Sequence, residues 1–308
     1  MGTPGFAAGV LEHLVQERYN IVGVITAPDK PAGRGLDLNE SDVKKTAIKH
    51  SLRILQPEKL KNPDFLAELK ALNADLQIVV AFRMLPEAVW QMPPLGTFNL
   101  HASLLPDYRG AAPINRAIMN GEKITGVTTF FLQQEIDTGN ILLRKEIPVS
   151  ENMNAGELHD EMMDVGARLV AETIDGIAEK KLKPLPQSEY KTEGKKLNDA
   201  PKIFKDDCRV NWQWPAKKIH DHIRGLSPYP AAWAELVQDD QAIAVKIYKA
   251  TFSIELHDIV PGTVIDNMKV ATTDGFIHVL EIQSPGKKKM NVQNWLNGFR
   301  LNKNATMR

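Results

Sequence analysis

Over the first 150 residues, short apolar runs rich in β-branched side chains alternate with stretches of helical spacing. This alternation restricts the fold more than any other feature of the chain. Residues 21–25, 76–81, 97–101 and 126–132 read as strands, the third short and ending in polar groups. Residues 63–73 and 112–120 carry the helical pattern between them. Such alternation predicts an α/β fold, a doubly wound and mostly parallel Rossmann-like sheet. Ligands of these sheets bind beyond the carboxyl ends of the strands, and Asn99 and His101 close one of them. A dinucleotide-binding module would want a GxGxxG turn after its first strand. None occurs, and Gly2-Thr3-Pro4-Gly5 is a poor substitute.

The pattern then changes twice. Residues 155–179 hold the longest helical stretch, with Leu158, Met162, Val165, Leu169, Thr173 and Ile177 in one stripe at steps of three and four. Pro184, Pro186, Gly194 and Pro201 then interrupt a charged run that reads as a linker. Past it, residues 264–265, 270–272 and 276–282 are short strands between turns, which predicts a small β-barrel domain. The expected division is 1–182, a linker over 183–206, and 207–308.

Charge and cysteine content exclude several classes of function. Lys+Arg and Asp+Glu both number 38, so no broad basic coat exists for DNA. The last 120 residues lean mildly positive, with 18 Lys and Arg against 14 Asp and Glu. The single cysteine, Cys208, precludes an intramolecular disulfide and a cysteine-rich metal cluster, and fits a cytoplasmic setting. No apolar run approaches the roughly 18 residues that span a bilayer, so no membrane partner is expected.

Three groups could carry chemistry. In a strand, residues two apart share a face, so Asn99 and His101 would converge on one pocket. Acyl transfer to an amine needs a donor for the developing oxyanion, which an amide supplies, and a group that takes the amine's proton, which an imidazole supplies. Asp137, after the fourth strand, could orient that imidazole. On the residues alone, strand-end polar groups and an Asp-Thr-Gly turn remain open as plain structural readings.

Taken together, the runs Phe98-Asn99-Leu100-His101-Ala102-Ser103-Leu104-Leu105-Pro106, Tyr108-Arg109-Gly110-Ala111-Ala112-Pro113-Ile114, Gly126-Val127-Thr128 and Asp137-Thr138-Gly139 resemble the folate-dependent formyltransferases in order and spacing. The resemblance implies that Asn99, His101 and Asp137 form the catalytic trio. It implies that Ser103, Leu104, Leu105 and Pro106, with Phe82 and Arg83 nearby, contact the formyl donor 10-formyltetrahydrofolate, and that no metal is needed. Pro28-Asp29-Lys30-Pro31-Ala32-Gly33-Arg34-Gly35 resembles a loop of the branch that formylates charged methionyl initiator tRNA, implying tRNA contacts by Lys30 and Arg34. Ser284-Pro285-Gly286-Lys287-Lys288-Lys289-Met290 resembles part of that branch's C-terminal OB-like domain, implying further contacts by Lys287, Lys288 and Lys289. Glycinamide-ribonucleotide formyltransferases lack such a second domain. Sugar-nucleotide formyltransferases share it without the Lys30–Gly35 loop. A non-catalytic tRNA-binding protein would not need the trio.

The chain also departs from the family pattern. Gly5 stands where Asp is frequent, and Arg83 where Gly is commoner. Members usually enter the segment matching Gly2-Thr3-Pro4 from a central β-strand, whereas Met1 stands at its start. The expectation is an upstream start, without which two strand edges would lie open in the sheet.

Overall fold

The apolar runs form short strands, and helices return the chain between them. The computed structural model describes residues 1–32, 37–190, 196–239 and 241–308. In order come α1 (Gly5–Gln16), β1 (Val24–Ile25), α2 (Asp42–Lys49), β2 (Ile54–Leu55), α3 (Pro63–Ala71), β3 (Gln77–Val80), β4 (Thr97–His101), β5 (Ile124–Phe131), β6 (Ile141–Pro148) and α4 (Ala155–Ala178). Local chemistry sets several helix starts. Ser41 Oγ accepts from Lys44 N at 3.0 Å, and Asn62 caps α3 with Pro63 in its first turn. Asn154 and Glu157 exchange side-chain and backbone hydrogen bonds in a capping box before α4.

The chain divides into two units. Unit 1 comprises Met1–Gly110, Thr125–Ile147 and His159–Asp199, and unit 2 the remaining stretches Ala111–Ile124, Pro148–Leu158 and Ala200–Arg308. In unit 1, β1 pairs in parallel with β2, and β3, β4, β5 and β6 form a second sheet in that order. β3 and β4 are parallel, with Val79 opposite Asn99. β4 and β5 are antiparallel, with His101 opposite Thr128.

Met1 and Gly2 lie between these two sheets. The Met1 amine donates to Ile78 O at 2.7 Å, Val80 N donates to Met1 O at 2.9 Å, and Gly2 N donates to Ile25 O at 3.0 Å. Burial pushes this amine down to about 5. Beside it lies a cavity of about 690 Å³, bordered by residues 21–25 and 76–78 and by the apolar side chains of Leu14, Leu69, Leu72 and Ile174.

Helix α4 covers the back of the second sheet. Leu158, Met162, Leu169 and Thr173 are buried, while Val165 and Ile177 are half-buried. Thr173 is the polar member of the stripe, and its hydroxyl is satisfied by Leu169 O at 2.6 Å and Thr129 Oγ1 at 2.9 Å. Gly166 lets the helix approach β4, since a Cβ there would stand 2.8 Å from Leu100 Cδ2. Leu100 therefore points at the helix, and its neighbours Asn99 and His101 point to the opposite face. No helix among the described residues is long and apolar enough to cross a membrane.

In unit 2, α5 (Ala216–Gly225) is followed by β7 (Ala232–Gln238), β8 (Gln241–Ile254), β9 (Val264–Ile265), β10 (Lys269–Ala271), β11 (Gly275–Gln283) and β12 (Thr306–Met307). The antiparallel order is β9-β10-β11-β8-β7-β12. Val264 N donates to Ala305 O at 3.0 Å and Met307 N to Gly262 O at 2.7 Å, so the first and last strands meet and the barrel nearly closes. Ala232, Ala234 and Leu236 alternate inward, joining Trp212, Ile219, Ile223, Val245 and Ile247 in one apolar core.

Candidate active site

The carboxyl end of β4 presents Asn99 and His101 on the face away from α4. Asn99 is half-buried. His101 is buried, and its ring lies edge-on to Phe130 with centroids 6.5 Å apart. His101 Nε2 sits 2.9 Å from Tyr108 O. A carbonyl only accepts, so Nε2 carries the hydrogen and Nδ1 is the nitrogen left to gain or lose a proton. Nδ1 faces Asp137 Oδ2 at 3.8 Å. That is beyond a direct hydrogen bond but close enough for the carboxylate to attract a positive charge formed on the ring. Gly110 N donates to the same carboxylate oxygen at 3.1 Å and holds it in place.

The loop after β4 is held from several sides. Ser103 Oγ donates to Asp107 O at 2.6 Å. Thr128 Oγ1 donates to Ser103 O at 2.6 Å and accepts from Leu105 N at 3.2 Å. Asn198 N donates to Asp107 Oδ1 at 2.7 Å, and Tyr108 N donates to Asn198 O at 2.7 Å. Tyr108 and Asp137 adopt left-handed backbone conformations, with φ of 60° and 54°. Such conformations cost a non-glycine residue about 1 kcal/mol or more, and the surrounding bonds offset that cost.

Gln187 connects the parts. Its Nε2 donates to Asp137 O at 2.8 Å and Gly139 O at 3.0 Å, and its Oε1 accepts from Arg109 Nε at 3.1 Å. Gly139 has no room for a side chain, because a Cβ would fall 1.6 Å from Phe131 O. Asn198 and Gln187 escape a reading of the sequence. Both sit in the proline-rich stretch taken for a linker, where neither periodicity nor spacing marks them.

The structure brings Asn99, His101, Asp137 and the Ser103–Pro106 loop together. Phe82 and Arg83 follow β3 at the same carboxyl end of the sheet, since β3 and β4 are parallel. Arg83 is exposed, donates to Glu58 O at 2.8 Å and to Pro57 O, and lies 5.5 Å from the Phe82 ring. Met84 beside it is 72% exposed. Lys30 is exposed in a hairpin that pairs it with Asn39, and Arg34 lies outside the described residues. Lys287, Lys288 and Lys289 are exposed in unit 2, Lys289 pairing with Glu281 at 2.8 Å.

Residues 1–174 match the model of the formyl transferase family, and residues 202–300 match that of the formyl transferase C-terminal domain. The chain is 53% identical over 306 residues to a methionyl-tRNA formyltransferase of Bacteroides fragilis, covering 98% of this chain and 94% of that one. It is 49% identical over 308 residues to a methionyl-tRNA formyltransferase of Flavobacterium johnsoniae, covering 99% and 96%. Among solved structures, an N-formyltransferase from Helicobacter canadensis, in complex with folinic acid and dTDP-3-aminofucose, superposes with a TM-score of 0.65. It shares 20% identity and covers 92% of this chain and 97% of that one. A sugar 3N-formyl transferase gives a TM-score of 0.64 at 21% identity, with 93% and 97% covered. At these identities the structural likeness shows the fold.

Proposed function

This chain belongs to the formyl transferase family, and from that premise we propose that it transfers a formyl group from 10-formyltetrahydrofolate to the amino group of methionyl initiator tRNA. One observation carries the chemical part: Asn99 and His101 share a strand face, and Asp137 faces His101 Nδ1, the ring nitrogen not bonded to Tyr108 O.

The donor supplies a formyl carbon open to attack by an amine. Asn99 is placed to donate an amide N–H to the formyl oxygen as it gains negative charge. His101 takes the proton of the attacking amine at Nδ1, directly or through one water. Asp137 faces the resulting imidazolium. The new C–N bond replaces the bond from carbon to the donor nitrogen, and His101 returns the proton to that leaving nitrogen. The reading assigns the donor to the end of the sheet described above. Phe82 and Met84 offer apolar surface there, Arg83 a cation for an anionic tail, and the Ser103–Pro106 loop a fixed backbone edge.

The proposed acceptor follows from the relatives that span nearly the whole chain at about half identity. The sugar-modifying enzymes are similar at 20% and 21%, so the sugar-nucleotide reading is the less supported one. Lys30 and Arg34, and Lys287, Lys288 and Lys289, are the cations assigned to tRNA phosphates. Offering the enzyme methionyl initiator tRNA, glycinamide ribonucleotide and an amino-sugar nucleotide with the same donor tests this. Transfer to tRNA is expected, and its absence with transfer to another acceptor would replace the substrate.

A further inference from the structure

The hairpin that carries Lys30 is gripped at its base. Its strands, Lys30–Ala32 and Asp37–Asn39, pair with Lys30 opposite Asn39. Asp29 and Glu40 therefore flank that base, one just before it and one just after. The Lys44 ammonium bonds both of them, Asp29 Oδ2 and, at 2.8 Å, Glu40 Oε1. The other Asp29 oxygen, Oδ1, accepts from Gln56 Nε2 at 2.9 Å. The same amide nitrogen donates to Ala27 O at 2.9 Å.

Both grips start from fixed elements. Gln56 follows β2 directly, and β2 pairs with β1, the strand that leads toward the hairpin. Lys44 stands in the first turn of α2, whose cap Ser41 meets Thr26 Oγ1 at 2.7 Å. The bond from Lys44 holds the Asp29 carboxyl below its usual range, and the bond from Asp29 holds the Lys44 ammonium above its own. Both ends of this clasp therefore stay charged at neutral pH. The Lys44 side chain is only 15% exposed and its charge is met by two carboxylates, so it is poorly placed to take a phosphate itself. Lys30, by contrast, is exposed.

We propose that Lys44 and Gln56 are positioning residues for the acceptor, fixing through Asp29 the direction in which the hairpin presents Lys30 to tRNA phosphates. The proposal rests on the tRNA reading of the acceptor and adds to it residues that do not touch the tRNA. A two-stranded hairpin is marginal by itself in water. Held at its base, it loses less conformational freedom when the acceptor arrives. Released, it must be ordered at the moment of binding, and affinity falls.

The test is formyl transfer measured against each substrate in turn, beside anisotropy binding of uncharged initiator tRNA. Gln56→Leu and Lys44→Met should each raise KM for methionyl initiator tRNA about tenfold and weaken binding of the uncharged tRNA by a similar factor. KM for 10-formyltetrahydrofolate should stay that of the parent. Lys44→Arg can still reach both carboxylates and should restore parent values. Gln56→Leu changes no charge, so its effect cannot be a lost phosphate contact. Lys45→Met is the control for charge on the same helix, since Lys45 is exposed and pairs only with Asp42 at 3.3 Å. A role in folding alone would lower melting temperature and kcat without moving KM for tRNA. That result, parent-like KM in Gln56→Leu or Lys44→Met, or an equal rise in Lys45→Met, would overturn the proposal. Such results with normal transfer by the parent chain strike the positioning role alone. No transfer to tRNA by the parent would instead strike the acceptor reading and this proposal with it.

Discussion

In the 308-residue chain, acetylating the α-amine of Met1 should stabilise the fold in acid and change little at pH 8. Burial pushes this amine from 8.0 down to about 5. Between those values the unfolded chain binds a proton that the folded chain does not. Folding stability therefore falls as pH drops from 8 to 5, at about 1.4 kcal/mol per pH unit and about 4 kcal/mol in all. At pH 7 the loss is about 1.4 kcal/mol. An acetylated nitrogen keeps the N–H that donates to Ile78 O and cannot be protonated. Its methyl group enters the adjoining cavity of about 690 Å³. Urea unfolding of free and acetylated chains at several pH values isolates the effect, because all other titrating groups cancel in the difference. The gap should widen by about 4 kcal/mol from pH 8 to below pH 5, or roughly 8–16 °C in melting temperature. A gap that does not vary with pH would mean that the amine stays solvated and charged, and the reasoning would fail.

Two further outcomes are expected. Gln187→Leu removes the donor shared by the Asp137 and Gly139 carbonyls, at a cost of about 1–3 kcal/mol. Steady-state kinetics should show kcat falling about tenfold or more with KM for the donor little changed; parent-like kcat would remove Gln187 from the positioning of Asp137. Burial pushes His222 from 6.5 to about 4, so its contribution to stability is complete above pH 6.5 and is lost as pH falls toward 4, about 3 kcal/mol in total. His222→Gln should flatten that acid limb in urea titrations, and an unchanged limb would assign it to other groups.

The proposed trio could be picked out because its parts sit in short motifs whose order survives in sequence. Strand periodicity also placed Asn99 and His101 on one face, which Leu100 against Gly166 now explains. What holds the site was less legible. The loop carrying Tyr108 is pinned by Asn198, and Asp137 by Gly110 and Gln187. These bonds join positions 27 to 91 residues apart, and local pattern carries no trace of them. β2 has two residues, too few for a period to register.

The central claim is that Asn99, His101 and Asp137 act together in formyl transfer. Single-turnover transfer from 10-formyltetrahydrofolate to methionyl initiator tRNA tests it most directly, with Asn99→Ala, His101→Ala and Asp137→Ala beside the parent chain. Each variant should lose about 100-fold or more of the rate while its circular dichroism and melting temperature stay those of the parent. A folded variant that transfers the formyl group at the parent rate would contradict the account for that residue, and three such variants would contradict it entirely.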